Sequence, residues 1–539
     1  MAIKKYFANK DNTITNAFEA NLVDRGTGSN MGQSDVLEVF SIYGQTIQPS
    51  SSADGAGSEK TSELARVLVE FPISDIVTDR SNNNVPASGS VDFFLRLYNA
   101  KHSQTVPRNM TLEILPISKT WEEGFGMDME EYQDITRDVE GSNWMKSAGD
   151  TNWTTPGGDY LTASISTVTL EKGTEDLEVN ITEVVEEWIS SDGYTNYGLG
   201  IKLIDSQEAY FDQAAGHDTA TGTTTGSVLH NPTGAKRSFY TKKFFSRGTE
   251  FFFKKPAIEA RWDSSTKDNR GEFFYSSSLA SESENLQTVF FYNYFRGQLR
   301  NVPGIDSKGS PIYVKIYSGS SQPSGDALEL VQHDLVAGTV VTGGYEDTGI
   351  YTASFALTAA ASPLTTLFDV WYSGSENGAT LHTGSITPKL LNASNFNPSP
   401  EYVTTITNLK SKYYTHENPT LRLYVRERDW CPTVYTRATE NMPDSITIED
   451  GYYKIFRASD NAEILPYGTG SSVSPQVAGT ATSYTRMSYD VSGSYFDYDM
   501  SLLEPGYMYG FKFAYYINGS YVEQPQSFKF RVEELENQQ

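Results

Sequence analysis

The residues best suited to bind a metal or move a proton are six histidines: His102, His217, His230, His333, His382 and His416. A histidine-based metal site legible in sequence has its ligands a few residues apart, as in H-x-H or H-E-x-x-H, so that one element presents them together. None of the six is so spaced, and they read as ordinary surface or loop histidines. Carboxylates crowd together at Asp128–Asp138 and Asp497–Asp499. A carboxylate pair can hydrolyse a glycoside, but neighbours in sequence need not be neighbours across a β-fold, so these runs read as acidic loops. No G-x-S-x-G elbow, P-loop or dinucleotide-binding glycine motif occurs. The single cysteine, Cys431, can form neither an intramolecular disulfide nor a cysteine-based zinc site. Calcium held by carboxylates and carbonyls is common in jelly-roll domains, but there is no EF-hand loop and no ligand is assigned. The expectation is therefore no catalytic residue, no cofactor and no metal.

Tryptophan offers a different chemistry, the stacking of sugar rings. Trp121, Trp144 and Trp153 lie in a long insertion from Trp121 to Tyr160, among acidic residues and glycines. This is too long for a plain turn. It is either an ordered loop packed by its own aromatics or a functional surface. Trp121 and Trp188 read as core. Trp144 and Trp153 are open to either role, with packing the favoured one.

The elements that would position any site read as short strands. Tyr (34) and Phe (28) are abundant, and Gly (43) and Pro (22) recur, which favours aromatic strands broken by turns. Long stretches of helical period are scarce. An all-β chain is expected over the competing mixed α/β enzyme, as a jelly-roll/β-sandwich domain at 1–270 followed by two immunoglobulin-like β-sandwich domains at 271–397 and 398–539.

In the first unit, Met31–Phe40 moves from a turn into a strand and Asn196–Ile204 reads as a turn and a strand; further strands are expected at Ala65–Phe71, Val91–Tyr98, Thr111–Ile117, Phe239–Phe245 and Pro256–Trp262. The best helix is Asn180–Ile189, with Val184, Val185 and Trp188 on one face and Thr182 as its cap. In the second unit strands are expected at Gln287–Phe295, Ile312–Tyr317, Tyr351–Leu357 and Leu367–Tyr372. The Asn- and Pro-containing stretch 391–400 marks a boundary. In the third they are expected at Leu421–Arg426, Tyr452–Arg457, Ser488–Tyr495, Tyr507–Tyr516 and Ser527–Val532. There Asn518-Gly519 between aromatic runs calls for a type I′ hairpin turn. Val289–Phe295 carries more apolar side chains than one sheet face can bury. They are covered either within their own domain or by a neighbouring subunit.

The 539-residue chain carries 42 Lys and Arg against 68 Asp and Glu, a formal charge of -26. Such a surface repels phosphates, so nucleic acid is not an expected partner. No run approaches the roughly 20 apolar residues of a membrane span, and the N-terminus lacks a signal-peptide core. Synthesis in a reducing host cytoplasm fits the lone cysteine.

Several short patches follow one another along the first unit. Asn30-x-Gly32-x-Ser34-x-x-Leu37-x-Val39 opens the series, followed by Arg66–Ile76 and Trp121-Glu122-Glu123-Gly124, then Trp144. Next come Asn180–Trp188, Asn196-Tyr197-Gly198-Leu199, Phe244–Arg247, Pro256–Glu259 and the border triplet Asp268-Asn269-Arg270. This ordered set, covering about half of the chain, resembles the DNRLRE family. The stretched, acidic, Trp-containing insertion looks like the version found in phage structural proteins. The resemblance implies an all-β, jelly-roll-like domain of surface and adhesive proteins, without catalytic residues. The function expected is a non-enzymatic structural protein of a tailed-phage virion, on the neck, tail or capsid surface. It would anchor or bridge other virion proteins, as a homo-oligomer or in multiple copies. The alternative is a host-surface or glycan-binding adhesin. A depolymerase, the third reading, lacks a catalytic constellation.

Overall fold

The computed structural model describes residues 2–19, 25–46, 60–82, 84–102, 108–127, 141–190, 193–211, 228–332, 335–359, 362–375, 378–390, 400–430, 433–434, 445–468 and 483–534. Among these the α-helices are two, of nine and eight residues, against strands throughout. The chain is all-β. It divides into two compact units, Ala2–Trp262 and Asp263–Gln539.

The first unit runs β1 (Ala2–Phe7), β2 (Lys10–Thr15), β3 (Val36–Thr46), β4 (Lys60–Glu70), α1 (Ile73–Ser81), β5 (Asp92–Leu97), β6 (Met110–Pro116), β7 (Lys146–Ala148) and β8 (Thr151–Asn152). It continues with β9 (Ser166–Leu170), β10 (Leu177–Asn180), α2 (Thr182–Ile189), β11 (Leu199–Leu203), β12 (Phe239–Phe245) and β13 (Ala257–Trp262). One sheet has the order β1-β13-β5-β10 and the other contains β4-β11-β6-β9. That is the strand order of an eight-stranded jelly roll. The larger sheet is widened by β3 and β12, and β2 pairs with β4. Alternate residues of the two sheets close one core, among them Val67 and Val69 of β4, Phe93, Leu95 and Leu97 of β5, and Ile258 and Ala260 of β13.

β4 explains how the site is placed. Its residues Val67, Leu68 and Val69 are apolar on both faces, as a strand buried on both sides requires. Val67 and Val69 enter the core between the sheets, while Leu64 and Leu68 pack under the Trp121–Tyr160 insertion. The stretch Arg66–Ile76 is not one continuous strand. Pro72 has no N–H to continue a ladder, β4 stops at Glu70, and α1 begins at Ile73, burying Ile73 and Ile76. The helix α2 buries Val184, Val185 and Trp188 as its periodicity dictates. Thr182, however, does not cap it. It is the first helical residue, and its hydroxyl accepts the Phe93 N–H of β5 (2.9 Å), tying the helix to the sheet.

In the second unit a first sandwich is made by one eight-stranded sheet turned on itself around Val289, Phe291, Val314, Ile316, Tyr351, Phe355 and Trp371. Val289, Phe290 and Phe291 are buried within it, so the aromatic strand needs no neighbour as far as Phe291. Only Tyr294 and Phe295, in a separate small hairpin, stand exposed.

The second sandwich of this unit has sheets of two kinds. One orders Tyr402–Ile406, Thr420–Glu427, Gly493–Asp497 and Ser488–Asp490. The other orders Lys412–Tyr414, Phe528–Glu533, Met508–Ile517, Gly451–Arg457 and Glu463–Leu465, the first pair parallel. These are immunoglobulin strand orders. Tyr509, at the start of its strand, donates its hydroxyl proton back to the Glu504 carbonyl (2.8 Å), the tyrosine corner of such folds. The Asn518-Gly519 turn has φ of 49° and 84°, as a type I′ hairpin demands.

Candidate functional site

Six of the patches along the first unit, those holding Asn30, Arg66, Glu123, Trp144, Tyr197 and Arg247, meet in space where the insertion covers the outer face of β4; Asn180–Trp188 and Ile258 pack instead into the core between the sheets. Asn30 sits at the centre. Its side-chain N–H groups donate to the carbonyls of Glu123 (3.0 Å) and Ser142 (3.2 Å), and its oxygen accepts the N–H of Gly32 (3.1 Å) and Gly126 (3.0 Å). A Cβ on Gly124 (φ +86°) or Gly141 (φ +127°) would lie within 2 Å of that amide, so both positions require glycine. Asn12 of β2 donates to the Ser142 carbonyl and hydroxyl (both 2.8 Å) and accepts from Met31 N–H (3.0 Å). The Ser246 hydroxyl bonds the Ser34 carbonyl.

Glu123 gathers the rest. It accepts the Asp11 N–H (2.9 Å) and both forks of Arg247 (3.1 and 2.7 Å). Asp11, 1% exposed, accepts the Arg247 N–H. Burial pushes its carboxyl up to about 7, and the nearby Glu123 charge adds to this against the bond from Arg247. On the same face Arg66 forks onto Glu208 (2.9 and 2.7 Å) and reaches the Gly157 carbonyl (3.0 Å). Its guanidinium lies 5.3 Å from the Trp144 ring centre.

The tryptophans complete the cover. Trp121, Trp144 and Trp153 are buried, with Ile14, Leu64, Leu68, Ile117 and Ala209. Trp121 Nε1 donates to the Tyr197 carbonyl (2.8 Å) and Trp153 Nε1 to that of Asn143 (2.9 Å). Their faces are spent on packing, and a sugar has none of them to stack upon. The network is a fastener: its donors and acceptors close on one another across segments far apart in sequence.

The remaining sequence candidates are dispersed. His217, His333, Cys431 and the run Asp128–Asp138 lie outside the described residues. His102 accepts the Lys243 N–H (3.1 Å), and its pKa is lowered by burial and by Lys242 and Lys243. His382 stacks on Phe291, and burial lowers its pKa too. His416 stacks on Tyr414. Asp497 accepts from the Thr420 hydroxyl and Asp499 caps the turn at Ser501. Among the described residues no three His, Cys, Asp or Glu come together as a metal site, and no helix is long and apolar enough to cross a membrane. Asp268-Asn269-Arg270 belongs to the second unit. There Arg270 forks onto the buried Asp369 (2.6 and 2.7 Å).

Two buried charge centres carried no sequence signal. Lys242 is fully buried on the edge strand β12, its ammonium donating to Asn99 Oδ1 (2.5 Å) and the carbonyls of Gly173 (2.9 Å) and Glu175 (2.8 Å). Burial draws its pKa down to about 8. On the β1-β13-β5-β10 sheet, Glu259 is ringed by Lys5, Arg261 and Arg96. Burial opposes its charge, but these cations hold its carboxyl at about 2.

Fold and site together define an all-β protein: a jelly-roll sandwich and immunoglobulin-like sandwiches. No family model matches the chain, and no curated protein matches it. Among solved structures, a chimeric titin tandem functionalized with an exogenous GRGDS peptide from fibronectin is similar over 42% of this chain and 85% of its own. The identity is 10% and the TM-score 0.14, too low to carry an argument.

Proposed function

We propose that this chain is a non-enzymatic structural protein of a tailed-phage virion, which anchors or bridges other virion proteins from the neck, tail or capsid surface. The observation that carries the reading is the convergence of six of the DNRLRE-like patches under the insertion, around Asn30, Glu123 and Arg66. Residues brought together this way hold the insertion to the sheet, as a structural module requires. Sandwich modules in series suit a scaffold, and the acidic charge keeps a protein present in many copies soluble. Quantitative mass spectrometry of purified particles tests the proposal. A fixed copy number per particle is expected, with density for the jelly roll in reconstructions of the same particles. Absence from the particle defeats it.

A further inference from the structure

The middle sandwich carries two opposite surfaces at opposite ends of one strand, Gln287–Tyr292. Past its C-terminal end, Tyr294-Phe295 and Gln298-Leu299 form a two-stranded hairpin that pairs with no other strand among the described residues. Arg296 and Gly297 at its tip have φ of 52° and 78°, a type I′ turn. Its base is clamped by Asn293, which donates its N–H to the Gly349 carbonyl (2.7 Å) and its side-chain amide to that of Arg300 (2.6 Å). The hairpin is anchored at its base, yet Tyr294 is 63% and Phe295 54% exposed. The guanidiniums of Arg296 and Arg300 both lie against the Phe295 ring, at 5.3 and 5.8 Å. Neither has a carboxylate partner among the described residues, in a chain with a large excess of carboxylates.

At the N-terminal end of the same strand lies the loop Ser277–Asn285. Asn285 holds it by donating to the carbonyls of Ser277 (3.0 Å) and Ser281 (3.1 Å). Glu284 accepts from the N–H and hydroxyl of Ser281 (2.9 and 2.8 Å), which keeps its carboxyl below the usual range and ionised. The loop presents Leu279, 97% exposed, beside Glu282 and Glu284. A six-residue strand separates the two surfaces by about 20 Å. One surface is aromatic and cationic and the other apolar and anionic, so they complement each other but cannot meet within one copy.

We propose that the Tyr294–Arg300 hairpin of one copy docks on the Leu279–Glu284 loop of a second copy, head to tail. Tyr and Arg anchors are the side chains that dominate protein interfaces. A head-to-tail contact of this kind generates rings or filaments. The contact stands independently of the virion reading, because it is tested on the purified chain alone.

Sedimentation velocity of the full chain at near-physiological salt, which screens the long-range repulsion between two copies of charge -26, is expected to show association that rises with concentration. Arg296→Glu/Arg300→Glu and Glu282→Arg/Glu284→Arg should each be monomeric with unchanged Tm. Mixing the two charge-reversed chains should restore association, since a glutamate hairpin then faces an arginine loop. Two results overturn the proposal. One is a wild-type chain that stays monomeric at about 1 mM, where even a contact worth about 4 kcal/mol is half formed. The other is a mixture that remains monomeric.

Discussion

Asp11 and Glu259 are both buried carboxyls on strands of the jelly roll, and their surroundings drive them in opposite directions. Asp11 is desolvated and faces the Glu123 charge, so the folded chain holds its proton up to about 7, where an unfolded aspartate has lost it near 3.8. Between those values the folded state binds more protons than the unfolded one, so this group's contribution to stability falls as pH rises. Asp11→Asn is expected to match the wild type near pH 4 and to exceed it at pH 8 by on the order of 2 kcal/mol in urea titrations. Glu259 is held at about 2 by Lys5, Arg261 and Arg96 against an ordinary 4.5. Its contribution is complete above 4.5 and disappears as pH falls toward 2. Glu259→Gln should therefore be destabilised by about 3 kcal/mol at pH 7, because Lys5 loses its carboxylate and the buried Arg261 and half-buried Arg96 are left to share Glu178 alone. The gap to wild type should narrow through pH 4.5 to 2. A constant gap would show that the cations are satisfied elsewhere.

At the scale of elements, the strands with alternating or continuous apolar residues were legible: β4, β12 and the Asn518-Gly519 hairpin lie where their patterns put them. β2 was not. Its sequence Lys-Asp-Asn-Thr-Ile-Thr reads as a loop, yet it is buried because Asn12 and Asp11 find partners at Ser142 and Arg247, more than a hundred residues away. Nothing local encodes such pairing. The same applies to the fastener: Asn30, Gly124 and Trp144 stood out in the sequence, but Glu208, which neutralises Arg66, did not. Thr182 was misread because a capping residue and a residue bonding a neighbouring strand look alike in sequence. Glycines separate the two kinds of element. Gly519→Ala has open space around it and should cost about 1 kcal/mol, the strain of a positive φ alone. Gly124→Ala drives a methyl into Asn30 and should cost more than about 3 kcal/mol or prevent folding. Urea denaturation of the two variants checks the contrast, and equal losses would mean that the fastener yields. Tyr509→Phe, which leaves the Glu504 carbonyl without its donor, should lose about 1 kcal/mol.

At the scale of the molecule, each compact unit closes its own cores, so each should fold when expressed alone. Within Asp263–Gln539 the question is whether the two sandwiches melt together. The segment Thr266–Arg270, ahead of the first sandwich, bonds to both of them. Thr266 N–H donates to Ser488 Oγ (2.9 Å) and Asp268 N–H to the Tyr489 carbonyl (3.0 Å) on one sandwich, while Arg270 forks onto Asp369 of the other. Asn269 touches both: its oxygen accepts the Thr288 N–H (3.1 Å) and its amide donates to the Tyr489 hydroxyl (3.1 Å). A segment bonded to both sides is disordered by the loss of either, which couples the two unfolding events. Calorimetry of the Asp263–Gln539 fragment should therefore give one cooperative transition. Asn269→Ala removes the side chain that bonds both sandwiches and should split that transition into two, with little change in circular dichroism below the first. Two transitions in the unsubstituted fragment would show that the segment is a tether only.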